Sequence, residues 1–108
     1  MSSIVHVNEA DFQSEVINSE IPVLVDFTAV WCGPCKMLEP VVEELVTELA
    51  GRMKVVKLDV DNNPNLAMQY NVMGVPTLML FVDGQEAQRL VGFLPKKRIL
   101  SKISTYIS

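Results

Sequence analysis

The run Pro22-Val23-Leu24-Val25-Asp26-Phe27 is apolar at almost every position. A strand with one face in water alternates apolar and polar residues, so an unbroken run needs cover on both faces. From residue 33 to about residue 49 the period becomes helical. Leu38, Val41, Val42, Leu45 and Leu49 share one face, and Glu39, Glu43 and Glu44 lie largely off it. Pro40 sits inside this helix and predicts a kink, and Ala50-Gly51 ends it. Residues 54–60 return to a β-branched strand pattern. Strand, helix, strand in this order predicts parallel pairing through a helical crossover. The same alternation runs through the rest of the chain. Residues 4–7 form a short strand, and Asn8 with Asp11 resembles a capping box opening a helix of about ten residues that ends near Asn18. Asn62-Asn63-Pro64 begins a short helix to about Tyr70. Asp83-Gly84 joins two strand-like segments as a hairpin. Pro95 suits the first turn of a last helix with Ile99, Leu100, Ile103 and Ile107 at helical spacing. The order β-α-β-α-β-α-β-β-α predicts an α/β fold: a largely parallel sheet with helices on both faces, closed by an antiparallel hairpin.

One domain over residues 1–108 is the natural reading of this length, because two halves would each be too small to bury a useful core. Hydrophobic residues make up 49% and charged residues 20%, a balance without disordered bias. A net charge of −4 argues against a nucleic-acid-binding or anionic-membrane surface. The basic run Lys96-Lys97-Arg98, beside Pro95, reads as a solvated helix start. No basic segment leads into a long apolar run at Met1-Ser2-Ser3-Ile4, and no apolar stretch approaches the ~20 residues that cross a bilayer. The expectation is a soluble, cytoplasmic chain. Two cysteines do not make a disulfide-stapled fold.

Those cysteines lie in Trp31-Cys32-Gly33-Pro34-Cys35, where the second strand gives way to the long helix. Side chains at i and i+3 on a helix are neighbours ~5–6 Å apart at Cβ, and small adjustment brings them to disulfide distance. Cys32 precedes the first turn, an exposed position where unsatisfied N–H groups and the helix dipole favour a thiolate. Cys35, three residues before Leu38 and seven before Val42, lies on the apolar stripe and points inward. Cys32 is therefore expected to attack and Cys35 to resolve. Zinc is disfavoured, since a structural site needs four Cys or His ligands and the chain adds one distant histidine, His6, read as a strand-surface residue. A purely structural disulfide closing so short a ring would stabilise little.

Trp-Cys-Gly-Pro-Cys-Lys at 31–36, Val25-Asp26-Phe27 before it, Lys57-Leu58-Asp59, Gly74-Val75-Pro76-Thr77, Asp83-Gly84 and Gly92 together resemble the thioredoxin family over essentially the whole chain. The resemblance implies a central mixed five-stranded sheet flanked by four helices. It implies protein-disulfide reductase activity by a monomer, with no metal and no cofactor beyond the cysteine pair. A thioredoxin reductase would supply electrons, and oxidised proteins would be the substrates. Asp26 would be the buried proton acceptor for Cys35, where the residues alone also allow a strand-end aspartate bonded to a turn. Lys57 would be the electrostatic neighbour of Asp26, although a snorkelling surface lysine fits its strand equally well. Val75–Pro76 would be cis and packed against the cysteines, leaving the Val75 backbone free to pair with an extended substrate. Trp31, Gly33, Pro34, Met73, Gly74, Val75, Pro76 and Gly92 would form an apolar docking rim around Cys32. Met37, Met68 and Met79 read as core fillers. Thr28, Val30, Met73 and Phe93-Leu94-Pro95 depart from the common bacterial pattern and bear on partner preference rather than chemistry. Two rival functions share the fold: an oxidant or isomerase, and a binding subunit without redox turnover.

Overall fold

The computed structural model describes residues 4–107. Its strands are β1 (Val5–His6), β2 (Val23–Thr28), β3 (Lys54–Asp59), β4 (Thr77–Val82) and β5 (Gln85–Val91), in the spatial order β1-β3-β2-β4-β5. Four helical segments accompany them: a π-helical turn Gln13–Ile17, α1 (Gly33–Glu48), α2 (Pro64–Gln69) and α3 (Lys96–Ile103), which tightens into a 3-10 turn Ser104–Tyr106. No helix among the described residues is long and apolar enough to cross a membrane.

The unbroken apolar run of β2 is explained by its two neighbours above and below. Leu24 on one face joins Leu38, Val42 and Leu45 of α1 and Ile99 and Ile103 of α3. Val23, Val25 and Phe27 on the other join Val56 and Leu58 of β3, Phe12 and Val16 beside the π-turn, and Leu66 of α2. Because side chains alternate along a strand, Asp26 falls on the α1 face. Parallel pairing sets it directly beside Lys57. Two residues of opposite charge thus enter the apolar layer under the helix that carries the cysteines.

The sheet is mixed rather than largely parallel. β1, β3 and β2 are parallel, but β4 runs antiparallel to both β2 and β5. β4 starts at the same end of the sheet where β3 stops and β2 meets α1. That brings Val75 and Pro76 to the cysteines.

The first helix also differs from its expected ten-residue form. Asn8 N–H donates to Asp11 Oδ1 at 2.7 Å, half of the capping box, while Asn8 Oδ1 accepts from Asn63 Nδ2 at 3.0 Å and caps nothing. The Glu15 carbonyl accepts from Lys54 Nζ at 2.9 Å, and Asn18 N–H reaches back to the Gln13 carbonyl. With a carbonyl drawn off by a lysine of β3 and Phe12 and Val16 seated against the sheet, the segment takes the wider turn. α1 continues through Pro40, and α3 is pinned to it by Lys96, whose ammonium meets Glu44 and Glu48. The hairpin forms at Asp83-Gly84, both with positive φ (52° and 81°), the pattern of a type I′ turn. A Cβ on Gly84 would stand 3.0 Å from the Ile17 carbonyl oxygen, so this position needs glycine for space as well as for φ.

Candidate active site

β2 ends at Thr28, and the turn that follows delivers Cys32 as the N-cap residue of α1 in extended conformation (φ −90°, ψ 115°). Cys32 and Cys35 are joined as a disulfide, with Cα atoms 5.2 Å apart. Cys32 Sγ accepts the Cys35 backbone N–H at 3.1 Å and lies 3.6 Å from the Val75 carbonyl oxygen. The second helical residue, Pro34, has no N–H to offer, so one of the two amides that normally serve an N-cap is missing.

The expected contrast of an exposed Cys32 with a buried Cys35 is not found. The two are 3% and 4% exposed, enclosed by Ala29, Val60 and Val75. What distinguishes the sulfurs is their surroundings. Cys32 holds the cap hydrogen bond and borders Val75, whereas Cys35 faces a cavity of about 400 Å³ shared with Thr28, Glu39 and Lys57.

Asp26, paired with the cavity residue Lys57 across β2 and β3, does not itself line the cavity; it is 2% exposed, and its Oδ1 has no hydrogen-bond partner among the described residues. Burial pushes its carboxyl up to about 7; the Lys57 ammonium opposes the rise and the Glu39 carboxylate adds to it. The turn-bonded reading of Asp26 is thereby set aside. Lys57 is no snorkelling lysine either. It is buried, with its Nζ 3.0 Å from Glu39 Oε1. His6 is exposed and touches only the rim of the cavity.

A separate groove of about 310 Å³ brings together Trp31, Met73, Gly74 and Val75 from the expected rim. The Trp31 indole N–H donates to Asp61 Oδ2 at 2.7 Å, which fixes the ring although it is 67% exposed. The groove floor and far wall come from Val60, Ala67, Met68 and Val72. Gly33, Pro34, Pro76 and Gly92 do not line it. Pro76 is buried, its peptide with Val75 is cis, and its carbonyl accepts the Gly92 N–H at 2.8 Å.

A family model described as Thioredoxin matches residues 3–105. The chain belongs to the thioredoxin family. A thioredoxin of Haemophilus influenzae is 49% identical over 107 residues, covering 99% of this chain and 100% of the relative. One from Synechocystis is 48% identical over 99% of this chain and 100% of its own length, and one from Mycobacterium bovis is 48% identical over 98% and 91% respectively. As a thioredoxin-family member the chain is a protein-disulfide oxidoreductase, with protein partners on both sides of the exchange: a reductase and disulfide-bearing substrates. Its redox group is the Cys32–Cys35 pair, a part of the polypeptide itself. No cluster of three or more acidic, Cys or His side chains suited to a metal occurs among the described residues.

Two features of this thioredoxin-family site escaped the sequence reading. Met68, read as a core filler, is 77% exposed in the groove, and Met37 is also exposed, while Met79 is buried as expected. Glu39, assigned to the solvent side of α1, turns toward Lys57. The i, i+4 spacing from Cys35 carried that information, since residues four apart share a helix face.

Proposed function

We propose that this thioredoxin-family chain is a general cytoplasmic reductant of protein disulfides in which Cys32 attacks and Cys35 resolves. The observation that carries the assignment is the 3.1 Å hydrogen bond from the Cys35 N–H to Cys32 Sγ at the start of α1. A donor and the positive end of a helix dipole at one sulfur favour its thiolate.

An oxidised protein docks along the Trp31–Val75 groove with its backbone toward Val75. The Cys32 thiolate attacks one substrate sulfur, forming a mixed disulfide and expelling the other sulfur as a thiolate, which takes a proton from solvent. Asp26, as carboxylate, removes the Cys35 proton through a bridging water. The Cys35 thiolate then attacks Cys32 Sγ, the bond to the substrate breaks, and the second substrate sulfur leaves reduced. Two electrons pass from dithiol to substrate, and a thioredoxin reductase returns them with two protons. A base with pKa near the working pH suits the middle step, and burial supplies it in Asp26. The cytoplasm is the compartment that keeps such a dithiol reduced. The exposed apolar wall of Trp31, Met68 and Met73 suits varied extended polypeptides, with methionine adapting to each.

A coupled insulin-reduction assay, run separately with NADPH-dependent and ferredoxin-dependent reductases, tests the function and identifies the donor. Turnover with either supports a reductase. Absence of insulin reduction by the chemically reduced protein contradicts it.

Pro34→His addresses direction. The substitution restores a backbone N–H at the second helical position and adds a ring able to carry positive charge, and both favour the Cys32 thiolate. A stabilised reduced state is a stronger oxidant. The reduction potential should therefore rise by about 30 mV or more, ~1.4 kcal/mol per 30 mV for a two-electron couple. Redox equilibration with parallel titration of Cys32 measures it. An unchanged or more negative potential would show that residue 34 does not tune the pair.

A further inference from the structure

Lys57 stands beside Asp26 in the β2–β3 pairing, the arrangement from which an aspartate–lysine ion pair would be expected. The salt bridge it makes is instead with Glu39, at 3.0 Å, one helical turn beyond Cys35 on the same face of α1. Among the described residues, Asp26 Oδ1 is left without a partner. We infer that Glu39 is a positioning residue: by holding the Lys57 ammonium in its own salt bridge it keeps it from a direct ion pair with Asp26, so that the carboxylate keeps its affinity for the Cys35 proton. The proposal rests on Asp26 being the base for Cys35.

The other charged groups around the cavity do not do this work. Asp59, two residues along β3, is occupied by the backbone N–H groups of Asp61 and Asn62 at 2.8 and 3.1 Å. Lys36 of α1 and His6 of β1 lie on the rim with exposed side chains. The β4 residue paired with Asp26 is Leu78, which brings no charge. Glu39 is also placed to act without closing the site. Its side chain is 38% exposed and that of Lys57 9%, so the pair spans the cavity from solvent to interior. The direction agrees with electrostatics, for Glu39 raises the Asp26 pKa and Lys57 lowers it.

The test reads the Asp26 carboxyl directly by carbon NMR titration of the oxidised protein, in the wild type, Glu39→Gln, Glu39→Asp, Lys57→Met and the Glu39→Gln/Lys57→Met double variant. Glu39→Gln should move the Asp26 midpoint to lower pH by about one unit as Lys57 turns to it. Glu39→Asp, which retains the charge, should recover part of the shift. In the Lys57→Met background Glu39→Gln should move the midpoint clearly less, because only the direct repulsion between the two carboxylates is then removed. An unmoved midpoint in Glu39→Gln, or an equal shift with and without Lys57, overturns the role assigned to Glu39. The pH profile of insulin reduction by Asp26→Asn separates the underlying reading. If the inflection of the wild type near neutrality disappears in Asp26→Asn and moves down in Glu39→Gln, both stand. If it persists in Asp26→Asn, Asp26 is not the base and the proposal falls with it, whatever the NMR titration gives.

Discussion

Cys32→Ser is expected to abolish disulfide reduction to the uncatalysed background, whereas Cys35→Ser should still attack substrates and accumulate as mixed disulfides. The thiolate is the nucleophile in this exchange, and a serine hydroxyl neither ionises near neutrality nor forms a disulfide. The asymmetry follows from which atoms survive each change. The cap hydrogen bond to Cys32 Sγ comes from the backbone N–H of residue 35 and not from its side chain, so Cys35→Ser leaves the attacking thiolate its donor. Without the second sulfur the adduct has no internal route to release. Cysteine and serine are close in size, so neither substitution greatly alters the packing against Ala29, Val60 and Val75. Mass spectrometry after incubation with an oxidised protein distinguishes the variants. Trapped substrate on Cys35 in the Cys32→Ser protein would reverse the roles.

Asp26→Ala should stabilise the oxidised protein at neutral and alkaline pH and slow its turnover. The folded pKa is raised from 3.8 to about 7, so the folded state holds its proton where the unfolded chain has lost it. Ionisation then costs folding free energy. The cost is absent below the unfolded pKa, grows between pH ~4 and ~7, and is complete above the folded value. A shift of about three units sets an upper bound of ~4 kcal/mol at pH 8. Trimming a buried side chain to alanine removes about 1 kcal/mol or more, leaving a net gain of roughly 2–3 kcal/mol. At pH 3 the ionisation penalty is gone and the sign should reverse, with the variant slightly less stable than the wild type. Denaturant melts at pH 3 and pH 8 check both halves. A loss of stability at pH 8, or a gain that persists at pH 3, contradicts an aspartate buried with a raised pKa.

The local sequence signals that proved reliable were those with a single physical meaning. Two-sided burial of residues 23–27, the hairpin at Asp83-Gly84 and the placement of Cys32 ahead of a helix each follow from short-range chemistry. What could not be read locally depended on distance through the fold. The antiparallel direction of β4 is a matter of its pairing with β2, some fifty residues away, and no local pattern in residues 77–82 carries it. The π-turn depends on a lysine of β3 reaching the Glu15 carbonyl. The near-equal burial of the two cysteines arises because the chain around Val75, remote in sequence, covers the helix start. Glu39 looked like one of several solvent-facing glutamates until Lys57 was beneath it. Met68 was read as a core filler from its apolar side chain, yet it stands two residues after the buried Leu66, which on a helix turns it away from the core. The cysteine pair and the burial of Asp26 were therefore legible in the sequence, whereas the walls of the groove and the partner of Lys57 were not.

The reducing character of the Cys32–Cys35 couple separates a disulfide reductase from an isomerase or oxidant built on the same fold. Equilibration of the purified protein in dithiol redox buffers of known potential, with the fraction oxidised read by thiol alkylation and mass, measures it directly. A potential near about −270 mV, well below the ~−180 mV of an isomerase, is the expected result. A value at or above about −180 mV would contradict the assignment of this chain as a reductant.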